Sequence, residues 1–398
     1  MSGPLRRTRG DLIASAAITG VSLLAVAGVW ASAPIRSSEL IPAESEFTSP
    51  APLDTVPQTL TEAWSAPTLD LPGVHRPVIV DGLVAVPEEQ AVRGVDPTTG
   101  ETVWSYTRDL ELCSLGGAWG RVVTTWRAGN GCGDVVSIDA ETGRYHRTRS
   151  AISPGEVAAV TSNDRVGTIG AERLELWRSD LVRTVEYGEV EGIQEPDLQP
   201  HPGCRLTSAL TRSDLLAVTE NCEDGTWLRL QEASPEQSRE PEIRSSVQLD
   251  SPTARLVALG GSAAAVADGP ALISYSDEGV ELHRREAGTT AAEEGLFSPV
   301  TADLPHHMSW FDGERLVLFS PAELEVRHVF EQALGTGVAV GGRLLLPVEG
   351  GIAVIDWENG ETLHTIPVDR GEYRGTVTLG VAGETVVEKR GNTLHALR

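Results

Sequence analysis

Val95-Asp96-Pro97-Thr98-Thr99-Gly100-Glu101-Thr102-Val103-Trp104 reads as the end of one strand, a tight turn and the start of another. The turn, Asp-x-x-(Thr/Asn)-Gly, returns at Asp139-Ala140-Glu141-Thr142-Gly143 and at Asp356-Trp357-Glu358-Asn359-Gly360. The first two copies lie 43 residues apart, and the third follows 217 residues later, close to five further steps of that length. A period of ~40–45 residues belongs to propeller blades or to two-helix solenoids. Each turn follows an alternating or β-branched run: Ala91-Val92-Arg93-Gly94-Val95, Asp134-Val135-Val136-Ser137-Ile138 or Gly351-Ile352-Ala353-Val354-Ile355. That is strand chemistry, so the expected fold is all-β, a single β-propeller.

The two ends of the chain supply the closure. Leu60-Thr61-Glu62-Ala63-Trp64 carries the repeat's Trp without blade strands before it, an orphan outer strand. At the other end, residues 376–380, 384–388 and 392–396 make three strands with no fourth. Setting the Trp64 strand beside them closes the ring without an open sheet edge. Strand sets starting near Pro77, Cys113, Glu156, Cys204, Ala254, His307, Gly335 and Thr376 count eight blades. Seven remains an alternative, because blades 3 to 6 lack the turn signature.

The formal charge is −25, and a single Lys, Lys389, stands among 32 basic residues. Such a surface repels phosphate backbones and anionic headgroups, which argues against nucleic-acid binding. Residues 12–33 are 22 consecutive uncharged, mostly apolar positions behind a basic tail, residues 1–11, that carries Arg6, Arg7 and Arg9. The stretch suits one membrane-spanning signal anchor with the N-terminus cytoplasmic. Ala31-Ser32-Ala33 has the form of a signal-peptidase site, so cleavage is the alternative, although Pro34 directly after it hinders processing. Residues 34–58, rich in Ser, Glu and Pro, read as a flexible tether, and residues 59–398 as an extracytoplasmic, monomeric ring.

An exported chain with four Cys is expected to hold two disulfides. Cys204 opens the inner strand of blade 4 and Cys222 ends the next, and Cys113 and Cys132 take matching places in blade 2 if a bulge or longer turn intervenes. The register thus pairs Cys113 with Cys132 and Cys204 with Cys222. No Cys-x-x-Cys pair is present to point to zinc. His306-His307, adjacent on a strand, would face opposite ways.

Residues 95–104 resemble the repeat of the pyrroloquinoline-quinone-type propellers, roughly Ala-x-Asp-x-x-Thr-Gly-x-x-x-Trp. That superfamily includes quinoprotein dehydrogenases and a non-enzymatic propeller lipoprotein of the bacterial outer-membrane assembly machine. The turn matches in three blades, through Asp96 and Gly100, Asp139 and Gly143, and Asp356 and Gly360. The Trp is present at Trp104 and Trp64 but replaced by Arg147 in blade 2 and His364 in blade 7. In such proteins the Trp docks between neighbouring blades, so the resemblance implies structural roles for these residues. Quinone-dependent catalysis would require a pocket with calcium, a catalytic acid and, in many members, adjacent cysteines, and no Cys-Cys pair occurs here. The resemblance therefore implies a non-enzymatic, membrane-anchored branch without catalytic, metal or cofactor residues.

Function is then expected in loops. Residues 186–203, 288–305 and 108–112 enter inner strands from preceding blades, at the end of the ring where the disulfides fall, and loops held by a rigid scaffold are favoured binding sites. The expected function is a membrane-tethered scaffold for envelope proteins; the alternative is a diverged quinone- or metal-dependent dehydrogenase.

Overall fold

A computed structural model describes residues 8–129, 131–189, 198–288 and 296–398 of the chain. Eight antiparallel sheets follow one another as blades 1 to 8, spanning 78–107, 112–150, 158–188, 205–249, 255–286, 300–330, 338–367 and 377–397. The innermost strand of each blade touches that of the next. Val377–Ala382 of blade 8 touches Val78–Val80 of blade 1, so the ring of contacts is closed. This settles the blade number at eight.

Inner strands have a neighbouring blade on either side and are mostly buried, with apolar residues in the majority. Leu83–Pro87 of blade 1 is buried at every position. Most outermost strands are more exposed and carry charge; Tyr145–Ser150 of blade 2 has no buried residue, although Arg183–Gly188 of blade 3 is largely covered. Between blades 1 and 8 the packing is by small branched side chains, Val84, Val86 and Val95 against Ala382, Val387 and Leu394, which lets the wedges narrow toward the axis.

Blade 8 takes its fourth strand from the front of the chain. Glu62–Pro67 pairs with Thr393–Leu397, Trp64 opposite Ala396. Thr61 and Arg398 exchange backbone hydrogen bonds of 2.7 and 2.9 Å beyond the paired strands.

Two expectations change. Blade 6 begins at Val300–Leu304, one strand earlier than His307, which opens the second strand of that blade. Only Pro305 and His306 separate the two strands, so what reads as the end of a long connection is an inner strand with a tight turn. The second change is in residues 34–58, which pack along the ring where a flexible tether was expected. Glu39–Ile41 adds a fifth strand to the outer edge of blade 1, with Glu39 opposite Thr107. Farther on, Ala43 and Phe47 donate backbone hydrogen bonds to Thr142 and Glu141 of blade 2. Pro50 abuts Gly383 of blade 8, and Asp54 abuts Gly341 of blade 7. Leu40, Phe47, Leu53 and Val56 are half-buried against the blade cores, so a polar-looking segment still contributes apolar anchors.

Before this belt stands one helix, Arg9–Ser32, capped at its N-terminus by reciprocal hydrogen bonds between Thr8 and Asp11. Its apolar residues are all exposed, and it is long and apolar enough to cross a membrane.

Candidate functional site: the front face of the ring

The alternating strands give the ring two unlike faces. The back face carries the turns from first to second and from third to fourth strand; the front carries the turns from second to third and the connections between blades.

The repeated turn lies on the back face and acts across blade boundaries. In each copy the Asp side chain accepts from a backbone N–H within the turn: Asp96 from Thr98 at 2.7 Å, Asp139 from Thr142 at 3.1 Å, Asp356 from Glu358 at 3.1 Å. Gly100 and Gly143 have positive φ, and a Cβ on either would collide with an indole. The indole comes from the previous blade. Trp64 of blade 8 lies on Gly100 and donates to the Pro97 carbonyl at 2.9 Å, and Trp104 of blade 1 lies on Gly143 and donates to Ala140 at 2.9 Å. His328 of blade 6 takes the same place over Gly360. His328 was not legible as a docking residue, because the partner of each turn lies a full period upstream, whereas the repeat motif draws the eye to the Trp just after it. Arg147 and His364, the replacements within the motif, lie in outer strands; His364 is exposed.

Both disulfides are on the front. Cys204 and Cys222 join the first two strands of blade 4 with a Cα separation of 4.4 Å. Cys113 and Cys132 join blade 2 with a Cα separation of 6.0 Å, from the first strand to the third. The second strand lies between, and a bulge at Cys113 in the register from Leu112 to Ser114 lets the side chain reach past it. Arg108–Leu112, the two long connections and both bridges therefore share a face. Residues 190–197 and 289–295 of those connections lie outside the described residues.

Buried carboxylates reinforce this side. Glu220, in the second strand of blade 4, accepts from Arg229 at 2.7 Å and from the Tyr187 hydroxyl of blade 3 at 2.8 Å. Burial and the Glu220 charge push the Tyr187 hydroxyl far above the usual tyrosine range. In blade 8, Glu388 is held by Arg370 and Arg390, each at 2.7 Å. Glu186 pairs with Arg173 at 2.7 Å and with Arg183.

Residues 68–77 form the most unusual part of the front. They run from the closing strand at the rim to the innermost strand of blade 1, and contacts with three separate parts of the ring carry them across the axis. Pro72 accepts from the Ala159 N–H of blade 3 at 2.9 Å. His75 donates through Nε2 to the Ser298 carbonyl, just before blade 6, at 2.9 Å, an acceptor that fixes the proton on that nitrogen. On blade 8, Lys389 donates to Asp70 and to the Val74 carbonyl, Thr378 to the His75 carbonyl, and Arg76 to the Leu379 carbonyl. The chain's one lysine is thus a clamp on this plug. Burial, seconded by the Lys389 charge, pulls the His75 imidazole below its usual range.

Between the plug and blades 1 to 3 lies a groove of about 560 Å³. Leu71, Leu112 and Val157 give it an apolar floor, and exposed Asp70, Glu89, Glu111 and Glu156 its rim. Arg127 reaches Glu111 through two hydrogen bonds, of 2.7 and 3.1 Å, which hold the Glu111 carboxyl below the usual carboxylate range. Glu89 and Glu156 have no ion pair within 4.0 Å among the described residues. An acidic rim over an apolar floor suits a long basic side chain, whose stem is apolar and whose head is charged.

Two other clusters have structural partners. Cys204, Cys222 and Glu220 lie close enough to share a metal, but the thiols are joined and Glu220 is bound to Arg229. His306 and His307 both lie against the Trp357 ring of blade 7, with centroids 5.7 and 5.8 Å away.

No family model matches the chain, and no curated protein matches it. Among solved structures, BamB from Moraxella catarrhalis matches with a TM-score of 0.53 at 12% identity, covering 85% of this chain and 100% of that one. The computationally designed Ika8 protein matches with a TM-score of 0.52 at 12% identity, covering 85% and 98%. At this identity the likeness is one of fold: the chain is an eight-bladed β-propeller.

Proposed function

We propose that the protein is a membrane-tethered, extracytoplasmic scaffold whose front face binds a basic segment of an envelope protein. One observation carries the reading: the plug converts the axial mouth on the front into a continuous surface, and its groove beside blades 1 to 3 has an apolar floor and an acidic rim. Disulfides and buried ion pairs hold that surface rigid, which lowers the ordering cost of binding. A dehydrogenase with its cofactor on the axis would find the front mouth filled by residues 68–77.

The belt adds a constraint on where the partner lies. Residues 33–38 alone separate the helix from Glu39, which pairs at the front end of the outer strand of blade 1. At roughly 3.5 Å per residue they span no more than about 25 Å. With the helix in a bilayer, the rim of the front face is held close to it, and a partner embedded in or bound to the same membrane is within reach.

Charge reversal in the groove tests the proposal. Glu89→Lys with Glu156→Lys is expected to abolish co-purification of the envelope partner from solubilised membranes while the melting temperature stays within a few degrees. Retained capture by this variant contradicts the assignment of the groove.

A further inference from the structure

The back half of the axis is a chamber of about 430 Å³. Its inner end is the plug, and its walls run along the inner strands to the back-face turns of blades 3 and 4, around Asn163 and Arg212. Neither wall nor floor belongs to the front-face groove, so the two can be tested separately.

Of the Arg and Asp residues that line the chamber, Arg76, Arg212, Asp164 and Asp303, only Arg76 has no ion-pair partner within 4.0 Å among the described residues. Arg212 reaches from the wall to Asp303 at 2.9 Å, and Asp164 is paired with Arg165 at 3.3 Å. Arg76 is the remaining charge. Its Nε and Nη2 both donate to the Leu379 carbonyl, at 3.3 and 3.0 Å, and no carboxylate lies within 4.0 Å of it among the described residues. Asp303, the acid whose field reaches Arg76, is already engaged by Arg212. Desolvation pulls the Arg76 guanidinium down to about 10, so it keeps its charge at neutral pH. A guanidinium bound along one edge still offers the other edge, which fits a carboxylate through two parallel hydrogen bonds. The rest of the lining includes hydroxyl and amide groups, with Thr161 and Asn163 toward the open end and Thr301 nearer the plug.

From this arrangement we infer that the axial chamber is a binding site for a small sugar acid, a singly charged carboxylate carrying several hydroxyls. The carboxylate meets Arg76 at the closed end, and the hydroxyls meet the polar wall. One carboxylate pairs with the one lining cation that lacks an ion-pair partner, and the volume admits a monosaccharide but no folded partner. Access is from the back, so an occupied chamber and an occupied front face are compatible.

The test is calorimetric titration of the full-length protein in detergent micelles with glucuronate, and in parallel with glucose and with acetate. Saturable binding of glucuronate is expected, at least tenfold tighter than acetate, with no heat from glucose. Arg76→Gln should weaken glucuronate at least tenfold, with Arg76→Lys intermediate. If Arg76→Gln does not fold, Thr301→Val and Asn163→Ala take its place and should each weaken glucuronate about threefold. No saturable glucuronate binding, equal affinity for glucose or acetate, or affinity unchanged in the variants would overturn the inference. Loss of partner capture in the groove variant bears on the front face alone, so the two proposals fail independently.

Discussion

The two faces of the ring are held together by different means. On the back, blades lock through a repeated device: an Asp-capped turn in one blade receives a ring from the blade before it, as Trp64, Trp104 and His328 show. On the front there is no repeated device. Two disulfides, buried Glu–Arg pairs and a plug across the axis each occur at their own place. Repetition serves what every blade must do, which is to pack on its neighbour. Non-repeated bracing marks where this particular chain departs from the generic ring, and the functional surface is assigned to that side.

Removing the shared closure should have the largest effect. A variant lacking residues 1–61 loses the helix and belt but keeps Glu62–Pro67, and is expected to melt cooperatively at a lower temperature. Lacking residues 1–67, the chain exposes the ladder of Thr393–Leu397 and is expected to lose cooperative melting altogether. Equal melting of the two variants would show that the closing strand is dispensable.

Next comes the back-face lock. Trp104→Ala removes a 1% exposed indole and its hydrogen bond, and should cost about 3–5 kcal/mol in denaturant unfolding. A cost under about 1 kcal/mol would mean that the turn and ring do not act as a pair.

On the front, replacing Cys204 and Cys222 together by Ala opens a loop with a sequence separation of 18 and should cost about 3 kcal/mol in the chain-entropy view. A comparable loss from the Cys113 and Cys132 pair would show that both halves of the face depend on their bridges. Unchanged stability in both would remove the bracing from the account.

The smallest effect is a pH dependence from the plug. His75 in the folded protein binds protons less readily than in the unfolded chain, whose imidazole titrates near about 6.5. As pH falls below that value the unfolded chain gains a proton that folded His75 resists, so stability falls with it. Above it the contribution is absent. His75→Asn should therefore lose less melting temperature between pH 7 and pH 5 than the natural chain, and an identical slope would show that the plug does not feel the titration.

The same contrast decides what was legible in the sequence. The back face could be read because its Asp and Gly recur at a fixed spacing, and the closure because Trp64 stands without strands before it. The front could not. Glu220, Arg229 and Tyr187 meet across blades with no common spacing, and residues 68–77 have no periodicity because their contacts fall irregularly on blade 3, on the approach to blade 6 and on blade 8. The belt was read as a tether because Leu40, Phe47, Leu53 and Val56 sit too far apart among Ser, Glu and Pro to form any pattern. Val300–Leu304 was missed as the start of blade 6 because Pro305 follows it directly.

Photo-crosslinking in the native envelope tests the assignment of function to the front face most directly. A photoreactive residue would be placed at Glu89, Glu111 or Glu156 on the front, and at Glu101, Glu141 or Glu358 in the back-face turns. Discrete protein adducts from the front positions, absent from the back ones and lost when Glu89→Lys is combined with Glu156→Lys, are the predicted result. Adducts from the back positions alone would contradict it.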